Sequence, residues 1–198
     1  MTRAKIICVV SALLVALTLF ASCGKEESVE VSEFSLAELE ECVEIAKYKD
    51  VTFEVSDKDK QSVIKEYLIG ESKLKKLPDG AADYYFEQLK EQYEYHADEV
   101  GMKYDELLEE LGLSEKDLKK EAEALVFEDM IFSIIQKKEQ ISVTDSDKEK
   151  YFDKYVTKYA EIHNYSEEQV RKNLEDEVYQ TMLYDKTMEY LIISNTFK

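Results

Sequence analysis

One proline, five glycines and no tryptophan in 198 residues leave few of the corner residues that a β sandwich or barrel needs. Basic side chains are scarce as well, 26 Lys and Arg against 44 Asp and Glu, for a formal charge of −18. A body so acidic repels a phosphate backbone, and no basic patch of the size nucleic-acid binders use is visible, which excludes nucleic acid as a partner. Histidine is almost missing. His96 and His163 have no cysteine cluster or HExxH spacing beside them, so neither a zinc site nor a nucleophile triad is indicated. There is no glycine-rich phosphate loop. The carboxylates come in runs such as Asp105, Glu106, Glu109 and Glu110, which read as solvated helix faces. No catalytic pair is nominated, and the expectation is a non-enzyme without cofactor or metal.

Residues 1–22 have the anatomy of a secretory signal. Arg3 and Lys5 precede an apolar run from Ile6 to Phe20, broken only by Ser11 and Thr18, and the small Ala21 and Ser22 follow. A membrane span needs about 20 apolar residues, and this run stops short at Gly24, Lys25, Glu26 and Glu27. The junction at Cys23 resembles a bacterial lipoprotein box, with Phe20 where that pattern prefers leucine. The resemblance implies diacylglycerol on the Cys23 thiol, cleavage before it, and a mature chain held on the extracytoplasmic face of the cell membrane. An ordinary cleavable signal followed by a chance cysteine is the alternative. Losing Arg3 and Lys5 takes the formal charge from −18 to −20. Such a charge is expected to keep the body off an anionic membrane face, with residues 23–34 as lipidated cysteine and acidic tether. Cys8 leaves with the signal, so Cys42 has no intramolecular disulfide partner and is expected to be buried.

What remains reads as helix. Ser35 with Glu38 is a capping box, and Leu36, Leu39, Val43 and Ala46 extend a first helix to about Lys47. Val51, Phe53 and Val55 alternate, marking an extended piece over 48–55 that stands as a lone strand. Ser56 and Asp57 are expected to cap a helix holding Val63, Ile64, Tyr67 and Leu68, and a break follows from Gly70 to Gly80. Tyr85, Leu89, Tyr93, Ala97 and Val100 then recur over a long amphipathic helix that Gly101 ends. Tyr104 to Leu111 forms a short helix before Gly112, and Ser114 with Asp117 caps another reaching about Gln140. In that helix Leu125, Val126, Phe127, Met130, Ile131, Phe132, Ile134 and Ile135 leave no wide polar face, so it must be covered on several sides. Thr144 with Asp147 caps a helix through Tyr151, Tyr155 and Tyr159 that breaks near His163. Ser166 with Gln169 caps the last, with Val170, Leu174, Val178, Met182 and Leu191 as its stripe. Asp145, Asp147 and Glu149 hint at a calcium loop, but Lys150 and Val156 stand where glycine and glutamate belong.

From about Leu77 onward the chain resembles the C-terminal helical domain of trigger factor, which is similar to the chaperone domains of periplasmic and lipoprotein foldases. The likeness is carried by Tyr104 to Leu118 (YDELLEELGLSEKDL), the helix around Val126 to Glu139, the link ISVTDSD from Ile141, and the helix from Ser166 to Ile193. Ala46 to Val51 looks like the segment that precedes the family's prolyl isomerase domain. Only residues 56–80 follow it, too few for an inserted domain of about 100 residues. The resemblance implies an all-α fold of elongated helical arms, of the trigger factor C-terminal or SurA-like peptide-binding type, divided into 35–80 and 81–198. It also implies a chaperone-like lipoprotein that binds unfolded or newly exported polypeptides without its own isomerase.

Tyrosine, with an apolar ring and a polar tip, suits a contact face that stays wet. The expected client contacts are Tyr84, Tyr85, Phe86, Tyr93, Tyr151, Phe152, Tyr155 and Tyr159, with the softer Met182 and Met188. At helical spacing the same residues also suit a core. Two other functions stay open: an interaction lipoprotein gripping one defined envelope partner, and a foldase retaining prolyl isomerase chemistry.

Overall fold

The computed structural model describes residues 29–54, 59–163 and 165–198. The expected signal peptide, Cys23, and the expected caps Ser56 and Asp57 lie outside these. The described residues are mostly helical, as composition requires. They divide into two compact units that cut across the 35–80 and 81–198 division. One takes residues 29–33 and Leu77–Val126, and the other Phe34–Lys76 and Phe127–Lys198.

The first unit follows its local signals closely. Helix α3 (Ala81–Val100) starts at Gly80 and stops at Gly101, both left-handed, at φ 78° and 70°. Helix α4 (Tyr104–Leu111) stops at Gly112, φ 71°. Helix α5 (Glu115–Glu139) begins at the Ser114–Asp117 box, where each backbone N–H donates to the other residue's side chain, at 3.2 and 3.4 Å. Here α3 buries Ala81, Tyr85, Phe86, Leu89, Tyr93 and Ala97, α4 buries Leu107 and Leu108, and the start of α5 buries Leu118, Ala122 and Val126. Val31, in a 3-10 turn over Val31–Glu33, is also fully buried.

The second unit is assembled from distant segments. Helix α1 (Leu36–Cys42) has the expected Ser35–Glu38 box but ends well before Lys47. Val43 turns extended and opens strand β1 (Val43–Glu44), which pairs antiparallel with β3 (Lys73–Leu74). The β-branched Val43 is better placed in that ladder than in a helix interior. Helix α2 (Lys60–Glu71) is capped by Asp59, which accepts from the Ser62 N–H at 2.9 Å. Strand β2 (Thr52–Phe53) is not alone, as it pairs in parallel with β4 (Thr196–Phe197). Phe53 stacks on Phe197 at 5.5 Å and meets Tyr67 of α2 edge-on at 5.1 Å.

Helix α6 (Asp145–His163) carries the Thr144–Asp147 box, and α7 (Glu167–Asn173) the Ser166–Gln169 box. The last helix of the sequence reading is two, because Leu174 leaves helical geometry at φ −132° and ψ 23° before α8 (Glu175–Ile193) begins. No residue type at that point explains the break. The second half of α5 is enclosed all round: Met130 to Ile135 are six consecutive buried residues, as the missing polar face demanded. The helix stops at Gln140, in the left-handed region at φ 54°, where glycine or asparagine would be easier.

Candidate functional site

The ten nominated contact residues fall into two sets. On α3 the side chains of Tyr85, Phe86 and Tyr93 are interior, and only Tyr84 is half-buried, its ring edge-on to Tyr85 at 5.5 Å. The Lys119 ammonium lies 5.1 Å from the Phe86 ring centre and covers what that ring would offer. Burial raises the Tyr93 hydroxyl's pKa. In the other unit Tyr159, Met182 and Met188 are core residues. Six of the ten therefore pack the protein itself. Helical spacing placed these stripes correctly but cannot tell a core face from a contact face.

Four nominated residues keep exposed surface: Tyr84, and on α6 Tyr151, Phe152 and Tyr155. Tyr151 is 40% exposed. Phe152 leans on Tyr179 of α8 at 5.1 Å between ring centres. The Arg171 guanidinium stands 5.8 Å from the Phe152 ring and the Lys148 ammonium 4.0 Å from the Tyr179 ring. The Tyr179 hydroxyl donates to Glu175 at 2.6 Å, and that bond, with burial second, pushes its pKa up to about 12. The Tyr155 hydroxyl donates to Asp185 at 2.8 Å, and burial, then this carboxylate, drives its pKa upward. The Tyr155 and Tyr179 phenols stay neutral donors at physiological pH. The face can thus offer rings, one guanidinium and ammonium groups.

A second constellation escaped the sequence reading. Glu139, at the end of α5, accepts from Lys49 Nζ at 2.7 Å, from the Tyr48 hydroxyl at 2.6 Å, and from the Tyr190 hydroxyl. The Lys49 hydrogen bond first, then those from Tyr190 and Tyr48, hold its carboxyl down at about 2. Burial, followed by the hydrogen bond to Glu139 and then its charge, pushes Tyr48 up to about 12. Asn195 completes the clasp. Its amide donates to the carbonyls of Tyr48 and Leu191 at 2.9 and 2.7 Å, and its oxygen accepts the Val51 N–H at 2.8 Å. This ties the 48–51 segment to α5 and α8, a structural role. One acid among 44 and one amide gave no local signal for it.

In the unit built on α3, the Tyr104 hydroxyl and Glu91 Oε2 are buried with no hydrogen-bond partner among the described residues. Burial first, then the charges of Glu115 and Glu94, push Tyr104 up to about 12. Burial, then Glu87 and Glu94, raise the Glu91 carboxyl. His96 Nδ1 is 3.2 Å from Glu99, one turn on. Cys42 is buried. Among the described residues no group of three or more His, Cys, Asp and Glu side chains is placed to hold a metal ion. No helix of the described residues is long and apolar enough to cross a membrane. None of the family models, curated proteins or solved structures compared with the chain matches it.

Proposed function

We propose that this chain is a membrane-tethered, extracytoplasmic chaperone-like lipoprotein, anchored through lipid on Cys23, that binds unfolded or newly exported polypeptide. In this reading the helices are elongated arms of the trigger factor C-terminal or SurA-like type. The observation that carries it is the aromatic face of α6 and α8. Tyr151, Phe152, Tyr155 and Tyr179 remain partly open to solvent beside Lys148 and Arg171, whereas Tyr85, Phe86 and Tyr93 of α3 are buried. Rings with polar tips hold apolar chain loosely and exchange it readily. The acidic body adds long-range attraction for basic clients.

The test is suppression of aggregation of a chemically unfolded protein by the chain from Cys23 onward, expected at near-stoichiometric ratios. The double substitution Tyr151→Ser with Phe152→Ser should weaken it several-fold, and added salt should weaken it for basic clients. Unchanged aggregation with and without the protein would sink the reading. The burial of Tyr85, Phe86, Tyr93, Tyr159, Met182 and Met188 favours a second reading, a lipoprotein whose smaller open face grips one defined envelope partner. A pull-down dominated by a single stable partner, with no effect on unfolded chains, would select it.

A further inference from the structure

Helix α6 bears Lys150, Lys154 and Lys158 at intervals of four, which helical geometry lines up along about 12 Å of one face. All three are exposed, while Val156, Tyr159 and Ala160 form the buried side of the same helix. Tyr151 and Tyr155, one residue further along each turn, make a parallel stripe beside them. Some lysines elsewhere in this acidic chain find carboxylates, as with Lys49 and Glu139, Lys65 and Glu128, Lys138 and Glu40, and Lys186 and Asp147. These three form no ion pair among the described residues. Lys150 and Lys158 instead lie over the Tyr151 and Tyr155 rings, at 4.9 and 5.9 Å. Like charges four residues apart repel, so the line weakens the helix that carries it. Two nearby acids are occupied, Asp147 by Lys186 and Asp153 by Arg171, and Glu161 lies one turn past Lys158.

We propose that this lysine stripe docks the body against the anionic headgroup face of the membrane that holds Cys23; the inference rests on the anchor reading above. The charge of −20 left after cleavage repels such a face over the body as a whole, so docking depends on this one local patch. Screening confines the surface potential to about 8 Å at physiological salt, so the charges nearest the membrane decide, and along this stripe three lysines stand against Glu161. The outward crest of one helix lies flat on a lipid surface, whereas an extended acidic peptide would want a groove. The tether keeps the local concentration high, so a weak patch suffices.

The full chain is mixed with vesicles of phosphatidylcholine alone or with added phosphatidylglycerol, separated by flotation, and acylated with an amine reagent read residue by residue. The expected result is that Lys150, Lys154 and Lys158 label several-fold more slowly on the anionic vesicles than on the neutral ones. Lys116 should be unchanged, and the difference should vanish at high salt. Flotation with both vesicles but equal labelling overturns the docking while leaving the anchor. Flotation with neither removes anchor and docking together. Protection by an acidic peptide, with none on vesicles, would assign the stripe to a polypeptide and overturn the lipid reading.

Discussion

The two units are built by opposite routes. Apart from residues 29–33, the unit around α3 and α4 is one stretch of chain, Leu77–Val126, whose boundaries are set by Gly80, Gly101, Gly112 and the Ser114 box. The other closes only when residues near 50 meet residues near 195, through the pairing of β2 with β4 and the Glu139 and Asn195 clasp. They differ in charge too. Residues 77–126 hold 15 acidic and 5 basic side chains, while 34–76 and 127–198 together hold 25 and 18. A unit made of neighbours can fold on local cues and tolerate self-repulsion, whereas one made of distant segments needs specific cross-links and a more even charge.

Four measurements would break or sharpen that contrast. Ile134→Ala, at a fully buried position of the enclosed half of α5, should cost about 2 to 5 kcal/mol in denaturant unfolding. Hydrogen exchange should rise first in α2, α6 and α8; an equal rise in α3 would mean the units do not open separately. Next in size is Glu139→Gln, which removes a charged acceptor from three donors and should cost about 1.5 to 3 kcal/mol. Its pH signature is specific. The folded carboxyl titrates at about 2 against an ordinary 4.5, so its contribution is complete above 4.5 and fades as pH falls toward 2. Stability of the Gln variant should lack that part of the acid slope, and an unchanged acid slope would rule the clasp out as its source.

Smaller effects belong to the local unit. Gly112→Ala forces a side chain into left-handed backbone with open space around it, and about 1 to 2 kcal/mol is expected from backbone conformation alone. Ser114→Ala removes one half of a capping box and should cost about 1 kcal/mol, read as faster exchange in the first turn of α5. Neither should alter exchange at Val51 or Thr196.

The same contrast sets how much could be read from residues alone. The ends of α3 and α4, and the four capping boxes, came straight from glycine and Ser, Thr, Asp, Glu or Gln at fixed offsets, because those signals act within one turn. The early end of α1, the partner of β2 and the clasp did not, since each depends on a segment far along the chain. Alternation over Val51, Phe53 and Val55 announced a strand but not its partner. For the contact residues, the sequence placed Tyr151, Phe152 and Tyr155 on one helix. It could not separate them from Tyr159 or Tyr93, which share their spacing and are buried.

The parallel pairing of Thr52 with Thr196 also has a temporal consequence. For a chain made from its N terminus, the Val51 N–H must wait for an acceptor 144 positions later. Until Asn195 arrives, the strand around Phe53 and the apolar side of α2 are uncovered, while Leu77–Val126 already holds every residue of its own stretch. A protein proposed to shelter the unfinished chains of others is thus itself unfinished for most of its own emergence.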